Sequence, residues 1–426
     1  MDLLDLQHYF ETPQSRRRVL QQLGALAGIG LTLEACGGLT PTPSSPKGTE
    51  AIEHIIISCQ ENRTFDTYFG YYEKAGNFGI PAGYSQPDGK GGTVTPHKFH
   101  IYDTKDIKHD WQTIHREWNN GKMDGFYIAD GSSALGYYGR SDLPYYYGLA
   151  DNFTLCGNYF CYQLGPTFPN RLAFWASTTG GITQNHKLPQ GSLDFPTIID
   201  LLEDHGISWK FYNLGLLGLG STPEIEFINA LPFFKRWSQD KRLHSSEVNF
   251  FHDVKTGALP QVTFIISAAF YSEHPPLDIL LGQKKMAEVI NAIIQSPIWK
   301  SSAFIMTYDE GGGFFDHVPP PRFDAYGPGM RVPAFVVSPW AKRGYISGQL
   351  YEHSSILKFI ERRFGLPTLA SVNHRFDNST PALNNDLAKG NAGPPAPPRD
   401  GLKQLGDFYE AFDFTQNPDY HPKLST

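Results

Sequence analysis

Residues 307–321 read TYDEGGGFFDHVPPP and place Asp309, Glu310, Asp316 and His317 around three glycines and ahead of three prolines. The apolar run SAFIMTY (302–308) that leads in has the composition of a core strand, and an adjacent acid pair has no use inside one. A strand ending in Asp309 and Glu310 therefore opens into a site. A second run, IEHIIISCQENRTFDTYFG, ends likewise in Glu61 and Asn62. Ligands of open α/β sheets gather beyond the carboxyl ends of strands, so two such ends can meet in one pocket. Together they bring three carboxylates and an amide oxygen, hard donors suited to a divalent cation. Without a cation, converging carboxylates repel and raise one another's pKa. Each acid alone would pass as a surface loop residue; as a set they make a metal site.

A third stretch, CYQLGPTFPNRLAFWASTTGG (161–181), breaks at Gly165-Pro166 and then takes helical spacing. Thr167 falls near the helix start, where backbone N–H groups and the dipole favour an anion. Its hydroxyl is either an N-cap or a nucleophile, and the second role needs a base or metal to lower its pKa. His109 in KHDWQTIHREWNNGKMDGF, His274 in YSEHPP and His317 stand in loops beside acids or prolines. His353 opens the run HSSILKF.

The elements that must position these residues are legible as patterns. IEHIIIS (52–58), SWKFYN (208–213), QVTFIIS (261–267), SAFIMTY (302–308) and VPAFVVS (332–338) read as strands. FPTIIDLLEDHG (195–206), GQKKMAEVINAIIQS (282–296) and HSSILKFIERRFG (353–365) read as helices, with Met286, Val289, Ile290 and Ile293 on one face. Their alternation predicts an α/β domain around a mostly parallel sheet. Residues 70–160 and 214–258, aromatic and rich in Gly and Pro, read as insertions capping the strand ends. KGNAGPPAPPRD (389–400) reads as a connector to a short tail ending in FYEAFDF.

A 426-residue chain that is 40% hydrophobic and 19% charged is globular rather than disordered. A net charge of −7 with no basic run beyond the N-terminus gives no footprint for nucleic acid. SRRRVLQ (15–21) followed by LGALAGIGLTL is a basic region and a short apolar one, an export signal of twin-arginine type. Leu33-Glu34-Ala35-Cys36 is similar to a lipoprotein cleavage box, which would anchor the protein through lipidated Cys36. Residues 1–38 are thus expected to be the signal, 39–50 a flexible linker and 51–426 one domain in the periplasm, at the cell surface or secreted. Cys59, Cys156 and Cys161 make no disulfide framework, and no CxxC pair offers a thiolate zinc cage.

ENRTFDTYFG, GKMDGF, GPTFPNR, SEHPP, TYDEGGGFFDHVPPP, GPGMRVPAFVVSPWAKRG and EHSSILKFIERRFG occur in this order between about residues 50 and 370. They resemble the motifs of the bacterial phosphoesterase family, which contains phospholipases C and a metal-dependent acid phosphatase within the alkaline-phosphatase superfamily. The resemblance implies an alkaline-phosphatase-like core. It makes Glu61, Asn62, Asp309 and Glu310 the ligands of a divalent metal ion, identity open among Zn, Ca, Mg, Mn and Fe. Thr167 matches the nucleophile that also touches the metal, and His109, His274, Asp316 and His317 match positions around the phosphate. The chain departs from the pattern at Gly311, where a His is more usual, and at Cys59, where an apolar residue is.

The implied activity is hydrolysis of phosphate esters through a phosphothreonine, with a phosphatidylcholine-like diester as the expected substrate. A broad acid phosphomonoesterase is the alternative, and a non-catalytic exported binding lipoprotein a third reading. An arylsulfatase would need a Cys or Ser where Thr167 stands. Tyr137, Tyr138, Tyr145, Tyr146 and Tyr147 serve either as loop packing or as a cation–π cage for a quaternary ammonium.

Overall fold

The computed structural model describes residues 48–185, 188–215, 228–372, 393–394 and 397–424. The expected signal, Cys36 and most of the linker lie outside them. Among the described residues no helix is long and apolar enough to cross a membrane.

An eight-stranded sheet organises the domain. Its strands are β1 His54–Gln60, β2 Thr154–Cys156, β3 Trp209–Leu214, β4 Ser245–Ser246, β5 Val262–Ser267, β6 Ser302–Tyr308, β7 Ala334–Val337 and β8 Tyr345–Ser347. They lie in the order β8-β2-β7-β6-β1-β5-β3-β4. Strand β7 is antiparallel to both neighbours, and the other five pairings are parallel. β6 is buried along its whole length, which is why SAFIMTY carries no polar alternation.

The helices include α1 Phe65–Phe69, α2 Trp111–Trp118, α3 Pro144–Asn152, α4 Thr167–Ala176, α5 Ile198–Asp204, α6 Glu247–Thr256, α7 Ile279–Ile294 and α8 His353–Phe364. Both faces of the sheet are covered. On one, Ser58 of β1 donates to Met286 Sδ of α7 at 3.5 Å. On the other, Trp175 of α4 packs edge-on against Phe211 and Phe264, neighbours across β3 and β5. The apolar face expected of α7 is buried at Met286, Val289, Ile290 and Ile293.

Two segments differ from expectation. Residues 70–160 are not only a cap: they contain α2 and α3, and their end, Thr154–Cys156, is an internal strand between β8 and β7. Three residues are too short to show a period, and α3, PYYYGLADN, is buried on most sides and so has no polar stripe to betray it. Residues 214–258 likewise supply the edge strand β4 and helix α6. The C-terminal FYEAFDF is part of the core: Phe408, Ala411 and Phe412 are buried, and Thr154 Oγ1 donates to the carbonyl of Ala411 at 2.9 Å.

Candidate active site

The site begins where β1 and β6 run side by side. Their register ends with Gln60 opposite Tyr308, so the next residues of each strand, Glu61 and Asp309, emerge next to each other. The N–H of Asp309 donates to the carbonyl of Gln60 at 3.1 Å, continuing the ladder. Asn62 then takes φ of 62°, the left-handed region that Asn tolerates better than most residues. Its N–H donates to Oδ1 of Asp309 at 3.2 Å, and the N–H of Glu310 donates to the same oxygen at 2.8 Å.

The glycines after the acid pair have steric reasons. A Cβ on Gly311 would meet Thr64 Cγ2 at 2.8 Å and Met330 Cβ at 3.2 Å, so this chain has no room for a histidine there. Gly312, at φ 65°, abuts Asn62 and donates its N–H to Glu310 Oε2 at 2.6 Å.

Helix α4 starts at Thr167, after Pro166 in extended conformation. Asn170 pins the turn: its Nδ2 donates to the carbonyls of Gly165 (2.8 Å) and Pro166 (3.0 Å), and its Oδ1 accepts from Gln163 N–H at 3.0 Å. One turn beyond Thr167, on the same side of the helix, stands Arg171. Its Nη1 donates to the carbonyl of Cys59 (3.1 Å) and its Nη2 to that of Gln60 (3.1 Å) and to Glu61 Oε1 (3.3 Å). Nε donates to Asp309 Oδ2 at 3.2 Å. Arg171 joins the hydroxyl-bearing helix to both strand ends, and the sequence reading gave it no role. The signal was available: a residue four after Thr167 in a helix must share its face.

Three of the five expected metal-binding side chains present a buried oxygen with no hydrogen-bond partner: Asn62 Oδ1, Glu310 Oε1 and Thr167 Oγ1. All three are hard oxygen donors. The residues present therefore fit a divalent cation. Burial lifts the Glu310 carboxyl to about 8, with His109 opposing and Asp309 adding to the shift.

His109 and His274 share this neighbourhood. His109 Nε2 lies 3.4 Å from Asn62 Nδ2 and 3.8 Å from Glu310 Oε1, while its Nδ1 donates to the carbonyl of Ile107 at 2.8 Å. Burial works against its charge, but Glu310, Asp106 and Asp309 outweigh it and hold the imidazole at about 9. His274 packs edge-on against His109 with ring centres 5.6 Å apart, and its Nδ1 donates to the carbonyl of Pro275. Its Nε2 is buried without a partner, and burial keeps its pKa below the ordinary value. Asp106 completes a group that, with these two rings, has atoms spaced for a metal.

Asp316 and His317 belong to a second cluster. Asp316 accepts from Arg331 Nε (3.1 Å), Asp66 N–H (3.2 Å) and Val318 N–H (2.9 Å). His317 Nδ1 meets Asp66 Oδ2 at 2.6 Å, and Arg331 Nη2 meets Asp66 Oδ1 at 2.8 Å. Burial raises Asp316 to about 6 against the pull of Arg331, and Asp66 raises His317 despite burial. These two residues are thus tied to Asp66 and Arg331 rather than to the Glu61–Asp309 pair. His353, buried at the start of α8, donates from Nε2 to the carbonyl of Asp309 at 2.7 Å and supports that residue from behind. Burial holds it neutral, with a pKa of about 3.

Tyr138, Tyr145, Tyr146 and Tyr147 are all buried. Tyr146 donates to Glu273, a buried carboxylate that also takes the hydroxyls of Tyr68 (2.5 Å) and Tyr308 (2.9 Å). They pack the core. Cys59, Cys156 and Cys161 are buried free thiols.

The α/β domain thus sets acids and orphaned oxygens at two adjacent strand ends, and Arg171 ties to them the helix that begins at Thr167. The chain belongs to the phosphoesterase family, whose profile matches residues 52–367. It is 33% identical over 388 residues to a non-hemolytic phospholipase C of Burkholderia pseudomallei, covering 74% of this chain and 55% of that one. It is 32% identical over 430 residues to phospholipase C A of Mycobacterium tuberculosis, covering 83% and 81%. The chain thus spans little more than half of the Burkholderia relative. Among solved structures, a protein in the alkaline phosphatase superfamily from Vibrio parahaemolyticus aligns over 84% of this chain and 76% of its own. Identity there is 12% and the TM-score 0.40, below what establishes a shared fold.

Proposed function

We propose that this chain is an exported, metal-dependent phosphoesterase of phospholipase C type, with Thr167 as nucleophile. The observation that carries the reading is the set of orphaned oxygens: Asn62 and Glu310, just beyond the ends of β1 and β6, and Thr167 at the start of α4. Membership of the phosphoesterase family and relatives named phospholipase C support the reaction class.

Glu61, Asn62, Asp309, Glu310 and Thr167 would hold the cation; their oxygens suit Mg, Ca or Mn, and the histidines nearby permit Zn or Fe. When bound, the metal supplies charge stabilisation at the phosphate and a lowered pKa at the Thr167 hydroxyl. The chain's own residues do the rest. Thr167 Oγ1 attacks phosphorus in line, forming the Thr–O–P bond as the leaving oxygen departs. N–H groups at the start of α4 favour the phosphate oxygens. A histidine protonates the leaving alkoxide. His274, which packs on His109 beside Asn62 and Glu310, is better placed than His317, and it would give the proton from Nε2 as the imidazolium, since Nδ1 already donates to the carbonyl of Pro275. Water then displaces the phosphothreonine. Asp316 acts in this scheme by holding the loop that carries His317.

The burial of Tyr138, Tyr145, Tyr146 and Tyr147 favours a second reading, a phosphomonoesterase, because it removes those rings as a choline cage. Hydrolysis of p-nitrophenyl phosphate and p-nitrophenylphosphorylcholine by the metal-loaded chain from residue 40 onward, with Thr167→Ala as control, separates the two. Cleavage of the choline diester alone supports phospholipase C, dominance of the monoester supports a phosphatase, and no Thr167-dependent release from either overturns both. Export rests on the basic and apolar N-terminal pattern, and anchoring on Cys36. Detection of the mature chain outside the cytoplasm, lost on replacing Arg16 and Arg17 with lysines, tests the twin-arginine route.

A further inference from the structure

Arg171 is 1% exposed, and its guanidinium contacts two of the expected metal-binding carboxylates, Glu61 and Asp309. One guanidinium thus bridges two carboxylates that leave the ends of two adjacent strands. Asp309 is held from both sides: Oδ1 takes the N–H groups of Asn62 and Glu310, and Oδ2 takes Arg171 Nε. A carboxylate oxygen offers two lone pairs, so the Arg171 contact leaves Oδ2 able to accept a further partner. The contacts to the carbonyls of Cys59 and Gln60 fix the guanidinium to the strand and not only to the acids.

We propose that Arg171 is a positioning residue that stands in for the metal. It holds Glu61 and Asp309 in their binding arrangement before a cation arrives, and keeps the helix bearing Thr167 in register with them. The pocket is thereby formed before loading. This rests on the metal-dependent reading of the same site. It also has a thermodynamic consequence. Removing one member of a buried ion pair leaves an uncompensated charge, which is strongly destabilising. A bound divalent cation compensates the same carboxylates. The loss of Arg171 should therefore hurt the metal-free protein far more than the loaded one.

The test is thermal unfolding of the full chain and of Arg171→Met, metal-free and with saturating Mn²⁺ or Zn²⁺. Methionine keeps much of the length and removes the charge. The metal-induced rise in Tm is expected to be about twofold larger in Arg171→Met than in the wild type, or more. Arg171→Lys keeps the charge but not the planar fork, and should fall between the two. It serves as the second variant if metal-free Arg171→Met does not fold. A residue that only packs would lower both melts equally, and an unchanged metal-induced rise in both variants overturns the proposal. If the wild type shows no rise with either metal, nor with Mg²⁺, Ca²⁺ or Fe²⁺, the metal-dependent reading fails and this one falls with it. A wild-type rise that the variants do not enlarge sinks only the role of Arg171.

Discussion

The main-chain N–H of Asn62 donates to Oδ1 of Asp309 across 3.2 Å, joining two loops 247 positions apart in sequence. The bond exists because β1 and β6 are adjacent and parallel, so both chains leave the sheet at the same end. It turns the Asn62 side chain into the pocket, with Nδ2 near His109 and Oδ1 unpartnered.

Replacing Asn62 should separate these roles. Asn62→Ala places a residue with no turn-stabilising side chain at φ 62°, at a cost of about 1 kcal/mol. Its metal affinity should fall about 10-fold or more, since an oxygen donor is lost. Titration in metal-buffered solution, alongside urea unfolding of the metal-free chain, reads the two effects apart.

Thr167 is expected to tolerate only a hydroxyl. Thr167→Ala should lower kcat by about three orders of magnitude or more, as removal of a nucleophile does elsewhere. Thr167→Ser should retain measurable turnover, because serine presents the same oxygen at the start of α4. Steady-state kinetics on a p-nitrophenyl ester, with metal content measured in each sample, checks this.

Tyr146 should matter for stability and not for substrate choice. Tyr146→Phe deprives the buried Glu273 carboxylate of one of its phenol donors, which costs about 1–3 kcal/mol. The ratio of choline-diester to monoester hydrolysis should not move. A changed ratio would return the tyrosine to the substrate pocket.

Glu361 gives a pH dependence far from the metal loops. Burial, with the Asp400 carboxylate nearby, lifts its carboxyl from 4.5 to about 10, and its Oε1 accepts the N–H of Leu369. The folded state keeps a proton that the unfolded chain loses above pH 4.5. The stability this proton contributes is complete below that value and declines as pH rises toward 10, by up to about 1.4 kcal/mol per pH unit. Glu361→Gln needs no proton. It should raise Tm relative to the wild type at pH 8.5 and change it little at pH 4.5, as scanning calorimetry would read.

Much of this site was legible because its residues sit at the ends of long apolar strands. SAFIMTY matches β6 residue for residue, and the acid pair that breaks it is the site itself. The short Thr154–Cys156 and Ser245–Ser246 strands were not legible, because two or three residues carry no period and are held by neighbours distant in sequence. Arg171 was missed for a related reason. The four-residue spacing puts it on the face of Thr167, but its acceptors, the carbonyls of Cys59 and Gln60 and two acids, come from strand ends distant in sequence. The cluster of Asp66, Asp316, His317 and Arg331 shows the converse: the adjacent Asp-His pair was visible in sequence, but its partners come from 66 and 331.

The most direct test of the account is to trap the covalent state. Metal-loaded protein would be mixed with a phosphate ester carrying labelled phosphorus, quenched in acid during turnover, digested and mapped. The account predicts label on the peptide containing Thr167, as phosphothreonine, and none in Thr167→Ala. Sustained turnover with no label on Thr167, or label on another residue, would contradict it.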